Sequence, residues 1–416
     1  MKALLLPGLL RGELPAPPSK SEAHRALMAA SLAAGPVELE NLGDCEDVAA
    51  TLAGLRALGC RTEGDGTRLI LTPGPPPERA EIDCGESGST FRFLLPAAAS
   101  LGAETAFRGR GRLPERPFEP LKAALEAHGV CFDQSPGCIC AISGRLRPGR
   151  YELPGDISSQ FVTGLLFALP RLPGESAIRL TSPLRSAGYV DMTLEVLTRF
   201  GVRVRAEEGG WSVPGGQRAE AARFRVEGDW SGAAFFLAAG ALGGPVTVRG
   251  LRADSRQGDR RMAALLAEMG AKAEFGPDFV KISGGRLRGI EADCEEIPDL
   301  VPALALTAAF AEGESRFSGL SRLKLKESDR LAGTEALIRD LGGRAEAGPD
   351  SLRVFGGGLK GGNANGRGDH RLVMAAALAA TRAEGPVTVT DAGAVAKSYP
   401  DFFEKFRALG GRCDVV

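Results

Sequence analysis

The chain has little of what several large classes of protein depend on. Two Trp and three Tyr in 416 residues leave few rings for stacking bases, and 51 Lys plus Arg balance 52 Asp plus Glu, for a net charge of −1. With no block of like charge, the electrostatic footprint of a nucleic-acid binder is missing, and a small anionic ligand fits better. Only three His accompany eight cysteines, which are scattered without a C-x-x-C pair. Cys45, Cys60, Cys84, Cys131, Cys138, Cys140, Cys294 and Cys413 therefore read as reduced, structural thiols rather than metal ligands. No apolar run approaches the roughly 18 residues of a membrane span. The apolar start at 1–6 is cut by Pro7 and Gly8 before a leader's apolar stretch can form, so a cytosolic protein with no membrane partner is expected.

What the chain does have is a period. Six segments end in a glycine with an apolar residue one or two positions before it: Gly59, Gly129, Gly201, Gly270, Gly342 and Gly410, spaced 70, 72, 69, 72 and 68 apart. A glycine just past an amphipathic segment suits the left-handed conformation that closes a helix, and so regular a spacing marks an internal repeat. Each unit also carries a second helical segment that is apolar nearly all round, such as Phe161-Val162-Thr163-Gly164-Leu165-Leu166-Phe167 or Leu372-Val373-Met374-Ala375-Ala376-Ala377. A helix with no polar face must be buried on every side. Glycine and β-branched strands follow, as in Gly244-Pro245-Val246-Thr247-Val248. At 416 residues, six such units exceed one core. The expected fold is α/β: two similar domains of three repeats each, buried helices inside and sheets outside. The chain is expected to cross between them near residues 226–229 and again near Pro18, giving domains 1–18 plus 228–416 and 19–227.

The residues before each buried helix are Ser19-Lys20-Ser21, Glu86-Ser87-Gly88-Ser89-Thr90, Ser158-Ser159-Gln160, Gly228-Asp229-Trp230-Ser231, Pro298-Asp299 and Asp369-His370-Arg371. Ser, Thr and Asp are ordinary helix caps. Lys20, Arg25, Arg92, His370 and Arg371 are not, because a cation at the positive end of a helix is unfavourable unless an anion lies between. Helix starts with added ammonium and guanidinium groups, aimed at one cleft, would hold multiply anionic ligands.

These motifs, with Glu115-Arg116-Pro117, Lys326-Glu327-Ser328-Asp329-Arg330 and Lys397-Ser398-Tyr399-Pro400-Asp401, occur in order across all six units. The chain resembles the 5-enolpyruvylshikimate-3-phosphate synthase family. That resemblance implies two domains of three β-α-β-α-β-β units closing over the substrates. The activity implied is transfer of the enolpyruvyl group of phosphoenolpyruvate to the 5-hydroxyl of shikimate 3-phosphate with release of phosphate. It implies no metal or other cofactor, and a monomer is the default expectation. By similarity, shikimate 3-phosphate would be held by Lys20, Ser21, Arg25, Ser158, Ser159, Gln160, Ser186, Tyr189, Asp299 and Lys326. Phosphoenolpyruvate would meet Lys20, Gly88, Arg116, Gln160, Arg330, Arg371 and Lys397, with His370 and Arg322 as further candidates. Asp299, Glu327 and Lys20 are the candidates for proton transfer, and the inhibitor glyphosate would occupy the phosphoenolpyruvate site against Gly88.

Two other readings fit the residues less well. A related transferase acting on a UDP-aminosugar carries a Cys in the loop corresponding to 108–117, and that loop has none here. A non-catalytic anion binder would have no need of Asp299 and Glu327 beside the basic residues.

Overall fold

The computed structural model describes residues 1–133 and 137–416. Twelve α-helices alternate between two kinds among the described residues: α1 (Lys20–Ala30), α2 (Glu46–Ala57), α3 (Gly88–Leu101), α4 (Glu119–Glu126), α5 (Ser159–Ala168), α6 (Ala187–Arg199), α7 (Trp230–Ala241), α8 (Arg261–Met269), α9 (Val301–Ala308), α10 (Arg330–Asp340), α11 (His370–Ala380) and α12 (Phe402–Ala408). The odd-numbered helices are the apolar ones. Every residue of α7, α9 and α11 is buried, whereas α4 buries only Leu121, Ala124 and Leu125 and turns its other residues outward. Burying a helix all round removes most of its apolar surface from water, which is the main favourable term in folding these segments.

Each repeat runs strand, buried helix, parallel strand, outer helix, hairpin. In the second, Arg79–Asp83 and Glu104–Arg108 pair in parallel across α3, and Cys140–Gly144 then pairs antiparallel with both Glu104–Arg108 and Val130–Asp133. Six four-stranded sheets of this kind are present among the described residues. The expected β-α-β-α-β-β repeat and its six copies are thus found.

The chain divides into two compact units, Met1–Ser19 with Glu227–Val416, and Lys20–Val226. In the first unit, buried α7, α9 and α11 share one apolar core; in the second, α1, α3 and α5 do the same. The strand before each crossing stays behind in the unit the chain is leaving. Gly12–Pro15, which precedes α1, pairs in parallel with Val246–Arg249, and Arg223–Arg225, which precedes α7, pairs in parallel with Val37–Glu40. At the crossing itself, Pro18 and Gly228 form an antiparallel bridge, with the Ser19 amide donating to the Glu227 carbonyl at 2.8 Å and the Asp229 amide to that of Pro17 at 2.7 Å. One feature of the first unit is not foreshadowed in the sequence. Lys2–Leu6 inserts between Val387–Thr390 and Arg412–Val415, so the last sheet is completed by the N-terminus of the chain.

Candidate functional site

In the unit formed by Lys20–Val226, the start of α1 carries three of the candidate residues. Lys20 Nζ lies 2.8 Å from Asp47 Oδ2, an ion pair with both side chains largely covered. Arg25 is buried and donates from Nε to Thr193 Oγ1 at 2.9 Å, from Nη1 to the Ser21 carbonyl at 2.6 Å and from Nη2 to the Tyr189 carbonyl at 2.9 Å. Burial pushes its guanidinium down to about 10, and the nearby Tyr189 and Glu22 oppose the shift. These bonds tie α1 to α6, where Ser186 precedes the helix in the left-handed region with φ of 55°.

A second group sits at the starts of α3 and α5. Ser87 caps α3 by accepting from the Thr90 amide, and Ser158 caps α5 by accepting from the Gln160 amide. Gln160 is then oriented from both ends of its amide: Nε2 donates to Ser89 Oγ at 2.9 Å, and Oε1 accepts from Arg92 Nη1 at 2.6 Å. Ser159 is buried beside it. Gly88 is where Arg116 comes closest, since a Cβ built there would meet Arg116 Nη1 at 2.8 Å. His24, within α1, shares a buried chain with Thr51 (2.7 Å) and Thr90, and burial, reinforced by Lys20 and Arg25, lowers its pKa well below the usual value.

In the other unit a network of ion pairs centres on Arg330, which is 1% exposed. Its guanidinium donates from Nε to Asp369 Oδ2 at 2.9 Å, from Nη1 to Asp299 Oδ1 at 2.7 Å and from Nη2 to Glu327 Oε2 at 2.5 Å. Burial alone would lower its pKa; the three carboxylates outweigh burial and hold it above the ordinary arginine value. Asp299 also faces Lys326 Nζ at 3.3 Å and Arg371 Nη2 at 3.2 Å. The positions follow from the repeat: Asp299 lies in the tight turn Pro298–Leu300 that begins α9, Arg330 begins α10, and Arg371 lies in the first turn of α11 behind its cap Asp369. Asp369 has no exposed surface and accepts from the Ser328 hydroxyl as well.

Asp299, Lys326, Glu327, Arg330 and Arg371 are thus brought into one network. Lys397 Nζ donates to the Gly368 carbonyl at 2.7 Å, Arg322 Nη2 donates to the Glu295 carbonyl at 2.6 Å, and His370 Nδ1 lies 3.9 Å from Asp369 Oδ1. For two of the cations at the helix starts the anion is internal, because Lys20 and Arg371 each face a carboxylate of the protein itself. Sequence reasoning also missed Asp47 and the part played by Asp369. Asp369 reads as a plain helix cap, and Asp47 lies 27 residues from the lysine it pairs with. Ser89 and Arg92 were visible at their helix start, but not their grip on Gln160.

The model of the family described as EPSP synthase (3-phosphoshikimate 1-carboxyvinyltransferase) matches residues 6–406. A 3-phosphoshikimate 1-carboxyvinyltransferase from Clostridium kluyveri is 39% identical over 413 residues, covering 98% of this chain and 97% of that protein. One from Methanopyrus kandleri is 41% identical over 426 residues, covering 99% of each. Among solved structures, EPSP synthase from Acinetobacter baumannii aligns over 100% of both chains with a TM-score of 0.83 and 26% identity. The enolpyruvyl transferase NikO from Streptomyces tendae, at 21% identity and a TM-score of 0.80 over 99% of this chain and 98% of that one, is alike in fold alone.

Proposed function

This chain belongs to the EPSP synthase family, and we propose how its own residues divide the family's reaction among them. It is a 3-phosphoshikimate 1-carboxyvinyltransferase, which transfers the enolpyruvyl group of phosphoenolpyruvate to shikimate 3-phosphate in aromatic amino acid biosynthesis. Asp299 accepts the proton of the 5-hydroxyl as its oxygen attacks C2 of phosphoenolpyruvate. Glu327 delivers a proton to C3 and takes one back from the resulting methyl group as the C2–O bond breaks and phosphate leaves. Lys20 supplies positive charge to the departing phosphate.

Shikimate 3-phosphate is assigned to Lys20, Ser21, Arg25, Ser158, Ser159, Gln160, Ser186, Tyr189, Asp299 and Lys326. Phosphoenolpyruvate is assigned to Lys20, Gly88, Arg116, Gln160, Arg330, Arg371 and Lys397. Residues 1–18 with 228–416 act as one domain and 19–227 as the other, in a cytoplasmic monomer. No helix among the described residues is long and apolar enough to cross a membrane.

The observation that best supports the acid–base assignment is the Arg330 guanidinium, which holds Asp299 and Glu327 on adjacent nitrogens. Two carboxylates fixed by one buried cation keep a set spacing, as a pair of proton-transfer groups requires. The test is a phosphate-release assay with product identification by NMR. Phosphate should appear from phosphoenolpyruvate only when shikimate 3-phosphate is present, together with the enol ether. Release without the acceptor, or an enol ether formed only with a UDP-aminosugar, would overturn the assignment.

A further inference from the structure

In the Lys20–Val226 unit, α1 begins with Lys20, α2 carries in its first turn Asp47, whose carboxylate faces that lysine, and α3 begins with Gly88. A chain of side chains joins these three helices. His24 Nδ1 on α1 lies 2.7 Å from Thr51 Oγ1 on α2, which lies 2.7 Å from Thr90 Oγ1 on α3. The Thr90 hydroxyl then reaches the Asp47 carbonyl at 3.2 Å and the Oγ of Ser87, the cap of α3, at 2.8 Å. His24, Thr51, Thr90 and Ser87 are all buried, so water does not compete for these bonds.

The far end of the chain gives it a direction. A carbonyl only accepts, and Ser87 Oγ already receives the Thr90 amide at 3.2 Å, so the single hydroxyl hydrogen of Thr90 is directed at these two acceptors. Thr90 therefore accepts from Thr51, and Thr51, its own hydrogen used, accepts from His24. The imidazole agrees with this from its other side. His24 Nε2 has no hydrogen-bond partner, so a hydrogen placed there would be buried unpaired, whereas on Nδ1 it meets an acceptor. Burial, reinforced by Lys20 and Arg25, lowers the pKa of the ring well below its usual value, so it carries one hydrogen at neutral pH.

We propose that His24 is a further positioning residue of the reaction: its Nδ1–H starts a one-way chain of hydrogen bonds that fixes Asp47, and with it Lys20, against the start of α3 at Gly88. Lys20 is the group assigned to the departing phosphate, and Gly88 is assigned to phosphoenolpyruvate. Arg25, assigned to shikimate 3-phosphate, is held separately by Thr193, the Ser21 carbonyl and the Tyr189 carbonyl. Loss of the chain should therefore fall on the use of phosphoenolpyruvate and spare the other substrate.

This rests on the assignment of Lys20, so the experiment separates the two. Nitrogen-15 NMR of the wild-type protein labelled in its three histidines, at pH 7, reads the tautomer directly, with the His24 signals identified by their loss in His24→Asn. Nδ1 should carry the hydrogen and Nε2 should be bare; a hydrogen on Nε2, or on both nitrogens, overturns the proposal. Kinetics then test the role. His24→Asn keeps a donor where Nδ1 stands, His24→Gln moves it to where Nε2 stands, and His24→Leu fills the space with neither. His24→Asn should retain kcat/KM for phosphoenolpyruvate within about three-fold, while His24→Gln and His24→Leu lose roughly ten-fold, the upper end of what one neutral hydrogen bond is worth. Shikimate 3-phosphate should bind all three variants as it binds wild type. Equal losses in all three variants, no loss in any, or weakened shikimate 3-phosphate binding would each overturn the proposal. Unchanged kcat/KM for phosphoenolpyruvate in Lys20→Ala would instead overturn the assignment of Lys20, whichever tautomer His24 adopts.

Discussion

At the scale of single residues, the molecule places its cations against internal carboxylates rather than leaving them bare. Lys20 faces Asp47, and Arg371 faces Asp299. An anionic substrate that takes over such a cation must outbid a carboxylate already there, which favours ligands of higher charge such as phosphates. Lys397 donates to the Gly368 backbone carbonyl, and Arg116 comes up against Gly88 at the start of α3. Arg116→Ala and Lys397→Ala should therefore each cost phosphoenolpyruvate binding about 1.5–3 kcal/mol, the worth of a charge-assisted contact, or one to two decades in affinity. Shikimate 3-phosphate, titrated calorimetrically into either variant, should bind as it does to wild type; equal losses for both ligands would contradict the division of residues. Gly88 bears on the same site. Its missing Cβ leaves room for Arg116 Nη1, which a methyl group would meet at 2.8 Å, and the far end of that side chain can give way. Gly88→Ala should thus shift Arg116 and lengthen its reach to the phosphoenolpyruvate site. The longer inhibitor glyphosate should lose more affinity than the compact substrate, with turnover reduced but measurable. Steady-state inhibition series on both proteins check this, and an unchanged inhibition constant in the variant would refute it.

At the scale of elements, the buried helices are packed closely enough that single methyl groups decide their spacing. Gly164 in α5 faces α3, and a Cβ there would lie 2.2 Å from the Arg92 carbonyl and 3.0 Å from Pro96 Cγ. The obstructing atom is backbone, so the two helices must part. Gly164→Ala should destabilise the Lys20–Val226 unit by about 1–3 kcal/mol, the usual cost of overpacking a core. Because α3 and α5 also carry Arg92, Ser89 and Gln160, the same change should disturb the bonds that orient the Gln160 amide. Urea unfolding of the variant measures the first effect. A midpoint equal to wild type would show that the helices separate at no cost. The caps act at the same scale. Ser87, Ser158, Asp229 and Asp369 each accept an amide from the first turn of a buried helix, so the polar residues at the helix starts both end the exposed loop and satisfy groups that burial would otherwise strand.

At the scale of the whole molecule, the two units differ in what they need from the rest of the chain. Every sheet of Lys20–Val226 is completed by strands from within that stretch, including the pairing of Arg223–Arg225 with Val37–Glu40. Residues 227–416 instead rely on two strands from the N-terminus: Lys2–Leu6 in the middle of one sheet and Gly12–Pro15 at the edge of another. A fragment of residues 20–226 should fold cooperatively by itself, whereas 227–416 should not until a peptide of residues 1–19 is added. Circular dichroism and urea titrations of the two fragments, with and without that peptide, test the difference. Stable, peptide-independent folding of 227–416 would contradict it.

Much of this architecture is written locally. The glycine period, the all-apolar helices and the β-branched strands determined six repeats of alternating strands and helices, because helix burial and helix closure depend on residues within a few turns of one another. The order of the motifs likewise determined the family; Asp299 and Arg371 were legible at the starts of two equivalent buried helices, whereas Lys326, Glu327 and Arg330 came only with the family resemblance. What only the tertiary structure decided are the pairings across long separations. Lys20 with Asp47, Arg330 with Asp369, Asp259 with Ser231, and Lys2–Leu6 inside the last sheet leave no local pattern. A carboxylate reads the same in sequence whether water or a buried guanidinium is its neighbour. Its charge and its role are fixed only when the packing of several repeats removes the water and chooses the partner.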